Sequence, residues 1–223
     1  MTAEPVLAVS GSNLTGDVPF SCALSIGGRI VETASPAGER GDLATLVAAV
    51  CAREGLRSAD VRRVRIDVGP GSYTGLRVAI TFVRSLLHFG GVVVEAIDSL
   101  AMLADTAPLQ LSGARRIRPV LDARRERLHS AAFRRTAGGV LAVDELPRAV
   151  PVAEIVASTK AGDLFVVPAN LPVDLQRALS PAGVETAIAR GVTAARLFSP
   201  GLAFERCTAA QLEPRYLMAS YAE

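Results

Sequence analysis

Asp67-Val68-Gly69-Pro70-Gly71-Ser72-Tyr73-Thr74-Gly75-Leu76-Arg77 decides how this chain is read: a strand end runs into a glycine-rich loop, and the loop opens a helix. Val61 to Val68 reads as the buried strand, and the apolar helix beyond the loop runs to about Phe89, before Gly90-Gly91. The loop has two readings. N–H groups at a helix N-terminus, beside the small hydroxyls of Ser72 and Thr74, suit a phosphate or carboxylate. Alternatively, Gly69, Gly71 and Gly75 only let the backbone turn tightly against a sheet. It is not a Walker loop, which needs a lysine here, and Lys160 is the chain's one lysine. Nor does it match the dinucleotide fingerprint.

Upstream, Val6 to Ser10 is a short apolar strand, and Phe20 to Ile26 and Arg29 to Ala34 flank Gly27-Gly28, a pair suited to a two-residue hairpin. Asp42 to Glu54 carries Leu43, Leu46, Val47, Val50 and Cys51 at helical spacing, with Asp42 as a cap and Gly55 as a stop. Downstream of the glycine loop, Val92 to Ala96 is a strand, and the pattern loosens from Asp105 to Gly113. The order then partly repeats. Arg116 to Asp122, Leu128 to Arg135 and Val140 to Leu146 read as strands, Val152 to Ser158 as a helix after Pro151, and Leu164 to Val167 as a further strand. This is a mixed α/β chain built on a duplicated unit, with halves at 1–105 and 106–223.

Of 223 residues, 50% are hydrophobic and 21% charged, and 24 basic against 22 acidic side chains leave a net charge of only +2. That balance excludes a chain-wide nucleic-acid footprint and leaves room only for a local one. Three scattered cysteines and no long apolar run predict a cytoplasmic chain with no membrane span, and Met1-Thr2-Ala3-Glu4-Pro5 lacks the basic start of a secretory signal. His88 and His129 are too few and too far apart for a two-histidine metal motif, so no metal is expected. Ser12, Ser72 and Ser99 sit in no nucleophile elbow, which argues against a hydrolase.

Eight arginines lie between Arg115 and Arg135: Arg115, Arg116, Arg118, Arg124, Arg125, Arg127, Arg134 and Arg135. They are dense enough to suggest RNA phosphates, but the chain uses arginine almost everywhere it needs a cation, and no aromatic residue interleaves them. The first two helices are apolar over more than one sheet contact requires. Such excess means either deep burial or a subunit interface; Leu43, Leu46, Val47 and Val50 on the first, and Ile80 with the polar stripe Arg77, Thr81 and Arg84 on the second, are read as a subunit interface.

Leu7-Ala8-Val9, Ser21-Cys22-Ala23-Leu24, the glycine motif, Ile97-Asp98-Ser99-Leu100, Leu121-Asp122-Ala123-Arg124 and Glu213-Pro214-Arg215-Tyr216-Leu217 resemble, in order, the bacterial TsaB (YeaZ) family. The resemblance is good over 5–135, thin over 136–205, and returns at the C-terminus. It implies an α/β actin-like (ASKHA) fold of two RNase-H-like subdomains with mixed sheets. It further implies a non-catalytic scaffold subunit in the synthesis of threonylcarbamoyladenosine on tRNA, dimerising with and activating the threonylcarbamoyltransferase TsaD through the two helices of the first half. The ATPase TsaE is implied as a third member, a homodimer as a competing state, and tRNA as bound only through the complex. No cofactor of its own is implied, with ATP or ADP placed at the interface of the assembled complex.

The chain departs from the family pattern in three places. Ser10-Gly11 stand where the family has Asp-Thr, which argues against independent ATP hydrolysis. The loop Gly11 to Pro19 is longer than usual, and Glu39-Arg40-Gly41 replaces a stretch that commonly holds a histidine. The alternative is a divergent actin-like phosphotransferase or ATP-binding protein outside the tRNA pathway, with phosphate on Gly69 to Gly75 and metal on Asp67 or Asp122. An older glycoprotease reading finds no nucleophile or metal pair here.

Overall fold

Alternation within the first strand separates two cores. In β1 (Val6–Ser10), Leu7 and Val9 belong to one buried cluster and Ala8 to another, as the period-two geometry of a central strand dictates. β1 pairs antiparallel with β2 (Ser21–Ile26), which turns through Gly27 and Gly28, both at positive φ, into antiparallel β3 (Arg29–Ala34). The structure, a computed structural model, describes residues 4–36, 41–88, 91–112 and 115–217; the expectations placed on Glu39, Arg40, Phe89, Gly90 and Gly113 lie outside them.

Helix α1 (Leu43–Ala52) starts where Asp42 accepts a hydrogen bond from the Ala44 amide at 3.0 Å, and it gives way to Gly55 at φ +68°. β4 (Arg63–Asp67) joins β1 in parallel, the glycine loop follows, and α2 (Tyr73–His88) leads to parallel β5 (Val93–Ile97). The second half repeats this plan. β6 (Ile117–Asp122), β7 (Arg127–Arg135) and β8 (Leu141–Pro151) are antiparallel neighbours, and β9 (Leu164–Pro168) and β10 (Glu185–Ala189) extend the sheet in parallel. Strand order is β5-β4-β1-β2-β3 in the first sheet and β10-β9-β6-β7-β8 in the second, the same topology twice. The actin-like architecture of two mixed sheets is therefore present.

Three buried clusters give the layers. One lies between the first sheet and α1 and α2; another lies under α5 (Val152–Ser158) and α6 (Val173–Leu179) on the second sheet. The third sits between the sheets and is filled by α3 (Ser99–Ala104), every residue of which is buried. A short α4 (Leu109–Ser112) follows it. Periodicity could not announce α3, because a helix covered on all sides has no polar face.

One boundary changes. The division at 105 does not separate the subdomains, since the 3-10 helix Ala194–Phe198 donates the Ala194 amide to Ser21 Oγ at 2.8 Å in the first half. β11 (Glu205–Cys207) then pairs antiparallel with β5 as a sixth strand of the first sheet. The end of the chain is clamped there by Arg65, whose guanidinium lies 4.5 Å from the Phe204 ring and 5.8 Å from Phe198.

Candidate functional site

A cleft of about 660 Å³ opens where the strand ends of the two halves meet. The loop after β1, the glycine loop, the β6–β7 turn, the segment after β9 and the C-terminal Arg215 to Leu217 all line it. Duplicated topology explains the convergence: each half presents the same two strand ends to the other.

The glycine loop is spent on the chain itself. Ser72 N–H donates to the Ser12 carbonyl at 2.7 Å, the Gly75 amide to Ser72 Oγ at 3.2 Å, and the Leu76 amide to the Ser72 carbonyl at 2.9 Å. A Cβ at Gly71 would lie 2.6 Å from the Ser12 carbonyl oxygen, one at Gly75 2.0 Å from that of Gly11, and one at Gly69, where φ is +107°, 2.9 Å from Leu76. The three glycines thus permit close backbone approach between the loop after β1 and the start of α2. Gly11 fits for the same reason: its Cβ would meet the Gly75 carbonyl oxygen. The tight-turn reading of the loop describes this geometry, and Thr74 is left exposed at the rim.

Below the loop, Asp67 is fully buried, and its Oδ2 accepts from Ser99 Oγ at 2.7 Å. Ser99 Oγ in turn accepts from the Gly69 amide at 2.9 Å. Burial pushes the Asp67 carboxyl up, and the hydroxyls of Ser12, Ser99 and Ser10 only partly hold it down. Its Oδ1 makes no hydrogen bond of regular geometry among the described residues. The Asp67 carboxyl, hydrogen-bonded through Ser99 to the Gly69 amide, braces the loop. Asp98 caps α3 by accepting from the Leu100 amide at 2.7 Å, and burial raises it to about 6 despite Arg215 at 3.2 Å.

Across the cleft, Arg124, Arg125 and Glu126 occupy three successive left-handed positions, with Asp122 Oδ1 accepting from the Arg124 amide at 2.7 Å. His129 is held neutral, its pKa pushed down to about 4 by burial, with Asp122 opposing. At the mouth, the Arg77 guanidinium sits 4.1 Å above the Tyr73 ring and donates to Tyr216 Oη at 2.9 Å. The two tyrosine rings are 5.4 Å apart. Both lie inside the motifs quoted from the sequence, yet their pairing across 143 positions could not be read there, and neither was singled out.

Residues 32–217 match the family model described as TsaD, tRNA N6-adenosine threonylcarbamoyltransferase. The chain belongs to the TsaD family. Its likenesses within that family are to TsaB and YeaZ proteins. The tRNA threonylcarbamoyladenosine biosynthesis protein TsaB of Bacillus subtilis (strain 168) is 31% identical over 74 residues, which is 33% of this chain and 31% of that relative, so the alignment spans under a third of its length. A Pseudomonas aeruginosa structure described as an uncharacterized protein with similarity to peptidase YEAZ superposes with TM-score 0.72 at 21% identity, covering 96% of this chain and 100% of that one. YeaZ from the same organism gives TM-score 0.71 at 22% identity, with the same coverage of both chains. These structures share the fold.

For this TsaD-family chain, the structure corrects the interface reading. Leu43, Val47 and Val50 are 2%, 1% and 0% exposed and Ile80 2%, all within the chain's own first core, where Leu46 also packs. Leu43, Val47, Val50 and Ile80 cannot meet a partner, whereas Leu46 is half-buried. What faces outward on α1 is Ala44, Thr45, Ala48, Ala49 and Ala52, and on α2 it is Val78, Thr81, Arg84 and Ser85. Arg77 turns away to the cleft mouth.

The arginine cluster is also structural. Arg116 and Arg118 are 2% and 1% exposed. Arg116 grips Asp163 with two bonds of 2.9 and 2.6 Å and also reaches Glu145, and Arg118 donates to Glu145 at 2.9 Å. Arg115, Arg134 and Arg135 pair with Glu185, Asp144 and Asp105, and Arg127 donates to the Ala149 carbonyl. Only the Arg124 end of the segment reaches the cleft. Among the described residues there is no cluster of three or more metal-ligating side chains, and no helix is long and apolar enough to cross a membrane.

Proposed function

We propose that this chain is the non-catalytic scaffold subunit in synthesis of threonylcarbamoyladenosine on tRNA, docking on a TsaD-type threonylcarbamoyltransferase and activating it. One observation carries the reading: two adjacent helices bury one face each in the first core and turn outward a surface of small residues, Ala44, Ala48, Ala49 and Ala52 beside Val78, Thr81 and Ser85. Small side chains let a partner helix approach closely, and Val78 at 42% exposure and Arg84 supply an apolar and a charged anchor.

The same surface accommodates a second copy, so a homodimer competes with the heterodimer. A TsaE-type ATPase joins the pair, ATP or ADP belongs to the assembled interface, this chain brings no cofactor, and tRNA is engaged in the assembly in the cytoplasm. The loop geometry supports this over the phosphotransferase alternative, because the Ser72 and Gly75 N–H groups are bonded to Ser12 and Ser72 rather than free for phosphate.

The test is a reconstituted tRNA modification reaction with the TsaD-type subunit of the same organism. Modification is expected only when this chain is added, and Ala48→Asp, which leaves the core untouched, should abolish it. Turnover of ATP by the isolated chain, with no effect on modification, would instead establish the phosphotransferase.

A further inference from the structure

Neither α1 nor α2 contains an aspartate or a glutamate. The outer helices of the second half do carry carboxylates, Glu154 on α5 and Asp174 on α6, as solvated helix faces ordinarily do. The two acidic residues that flank α1 are both engaged. Asp42 accepts from the Ala44 amide at 3.0 Å and from Thr45 Oγ1 at 2.6 Å, and Glu54, only 8% exposed in its side chain, is held by Arg29. Arg84 stands exposed on the outer face of α2, with no ion pair or hydrogen bond among the described residues. Its neighbours three and four positions away, Ile80, Thr81, Leu87 and His88, offer it no counter-charge. Elsewhere in the first half the pattern differs: Arg29, Arg57 and Arg63 each hold a carboxylate, and Arg77 is bound to Tyr216.

Partner choice follows from this inventory of charge, granted that the two helix faces dock a partner, a premise shared with the scaffold reading. An interface between two copies about a two-fold axis is built from the same patch twice. Wherever the axis passes, helices without carboxylates give Arg84 nothing to pair with, so each copy dehydrates a guanidinium without compensation. A different protein can supply what the patch lacks. We propose that Arg84 is a specificity-determining residue: it favours a partner whose docking helix brings an aspartate or glutamate to it, and it weakens the pairing of two copies of this chain. One side chain then does both halves of discrimination, attraction to the right partner and rejection of self. Its planar guanidinium suits a carboxylate held in two hydrogen bonds, which a lysine ammonium cannot reproduce.

The experiment is analytical ultracentrifugation of the full chain, reading two dissociation constants: self-association of the free chain over a concentration series, and binding to the TsaD-type subunit of the same organism. The natural chain, Arg84→Ala, Arg84→Lys and Ala48→Asp are compared, with thermal unfolding to show that each variant is folded. Arg84→Ala should tighten self-association by about tenfold or more, because it removes the uncompensated charge. The same substitution should weaken the heterodimer about thirtyfold, the low end of the loss when one member of a buried charge pair is truncated. Arg84→Lys should fall between the natural chain and Arg84→Ala in both constants. Raising the salt concentration should weaken the natural heterodimer and leave that of Arg84→Ala nearly unchanged, a response that a merely structural residue would not give. Failure of Arg84→Ala to strengthen self-association, or a heterodimer that it leaves unchanged, overturns the proposal; if Ala48→Asp still abolishes that heterodimer, the docking face itself survives. A heterodimer indifferent to Ala48→Asp removes the docking face and this proposal with it.

Discussion

The two halves of this molecule share a strand order and differ in what surrounds it. After β4 the first half sends out a helix of 16 residues, α2, whereas after β9 the second half manages only the seven residues of α6. The first half also recruits a sixth strand, β11, from the far end of the chain. Their buried charges differ too. The second half sinks two arginines into a network with Asp163 and Glu145, and the first keeps a raised, hydroxyl-ringed Asp67 beneath its glycine loop. One copy of the unit is braced as a support, and the other is extended into two helices with outward faces to offer.

The sharpest way to break that contrast is to remove one carboxylate from each half. Asp163 is held below the usual carboxylate range: burial opposes ionisation, but the Arg116 hydrogen bonds and charge outweigh it. Asp163→Ala leaves two buried guanidinium groups under-compensated and should cost about 3–5 kcal/mol in urea unfolding. Asp67→Asn replaces an acid already shifted toward its neutral form, keeps an acceptor for Ser99, and should cost about 1 kcal/mol or less. Equal losses would mean that the two sites are not electrostatically different.

The pH dependence sharpens the same comparison. Asp163 stabilises the fold above about pH 4 and ceases to do so as pH falls through its depressed value. Asp98 behaves oppositely. With its folded pKa near 6 against 3.8 ordinarily, the fold binds its proton more tightly, so stability is lost as pH rises from about 4 to 6. Asp98→Asn keeps the cap on Leu100 and should gain on the natural chain by up to about 3 kcal/mol between pH 4 and 7, roughly two pKa units at ~1.4 kcal/mol each. A constant difference across that range would contradict it.

Gly75→Ala comes next. An alanine inside a helix normally gains about 1 kcal/mol over glycine. Here its Cβ would meet the Gly11 carbonyl oxygen, so a net loss of about 1–3 kcal/mol is expected in thermal unfolding. A gain would show that the loop after β1 moves aside easily and that the glycine loop is free to hold a ligand. Ala48→Asp should have a small effect on stability, about 0.7 kcal/mol from helix propensity, because that side chain is exposed in the single chain.

Much of the architecture was legible from local pattern. The Gly27-Gly28 hairpin, the Asp42 cap, the strand running into the glycine loop and the repeat of strands from 116 to 135 each announce themselves through turn chemistry or alternation. Residues 169–207 did not: α6 and β10 are short and mostly exposed, and β11 exists only because β5 offers an edge in another half of the molecule. The interface residues show a related limit. Apolar spacing on α1 marked Leu43, Val47 and Val50 correctly as a buried stripe, but periodicity says nothing about whether the chain or a partner does the burying. Alanines at 44, 48, 49 and 52, the residues turned outward, carry no signal of their own. The arginine run misled for the converse reason, since its carboxylate partners at 145 and 163 are distant in sequence.

The central claim, that the first half offers its helix faces to a catalytic partner, is tested most directly by size-exclusion chromatography with light scattering of the chain mixed with the TsaD-type subunit of the same organism. The account expects a one-to-one complex that Ala48→Asp abolishes without unfolding the chain. Two separate peaks with the natural chain folded, or a complex indifferent to Ala48→Asp, would contradict it.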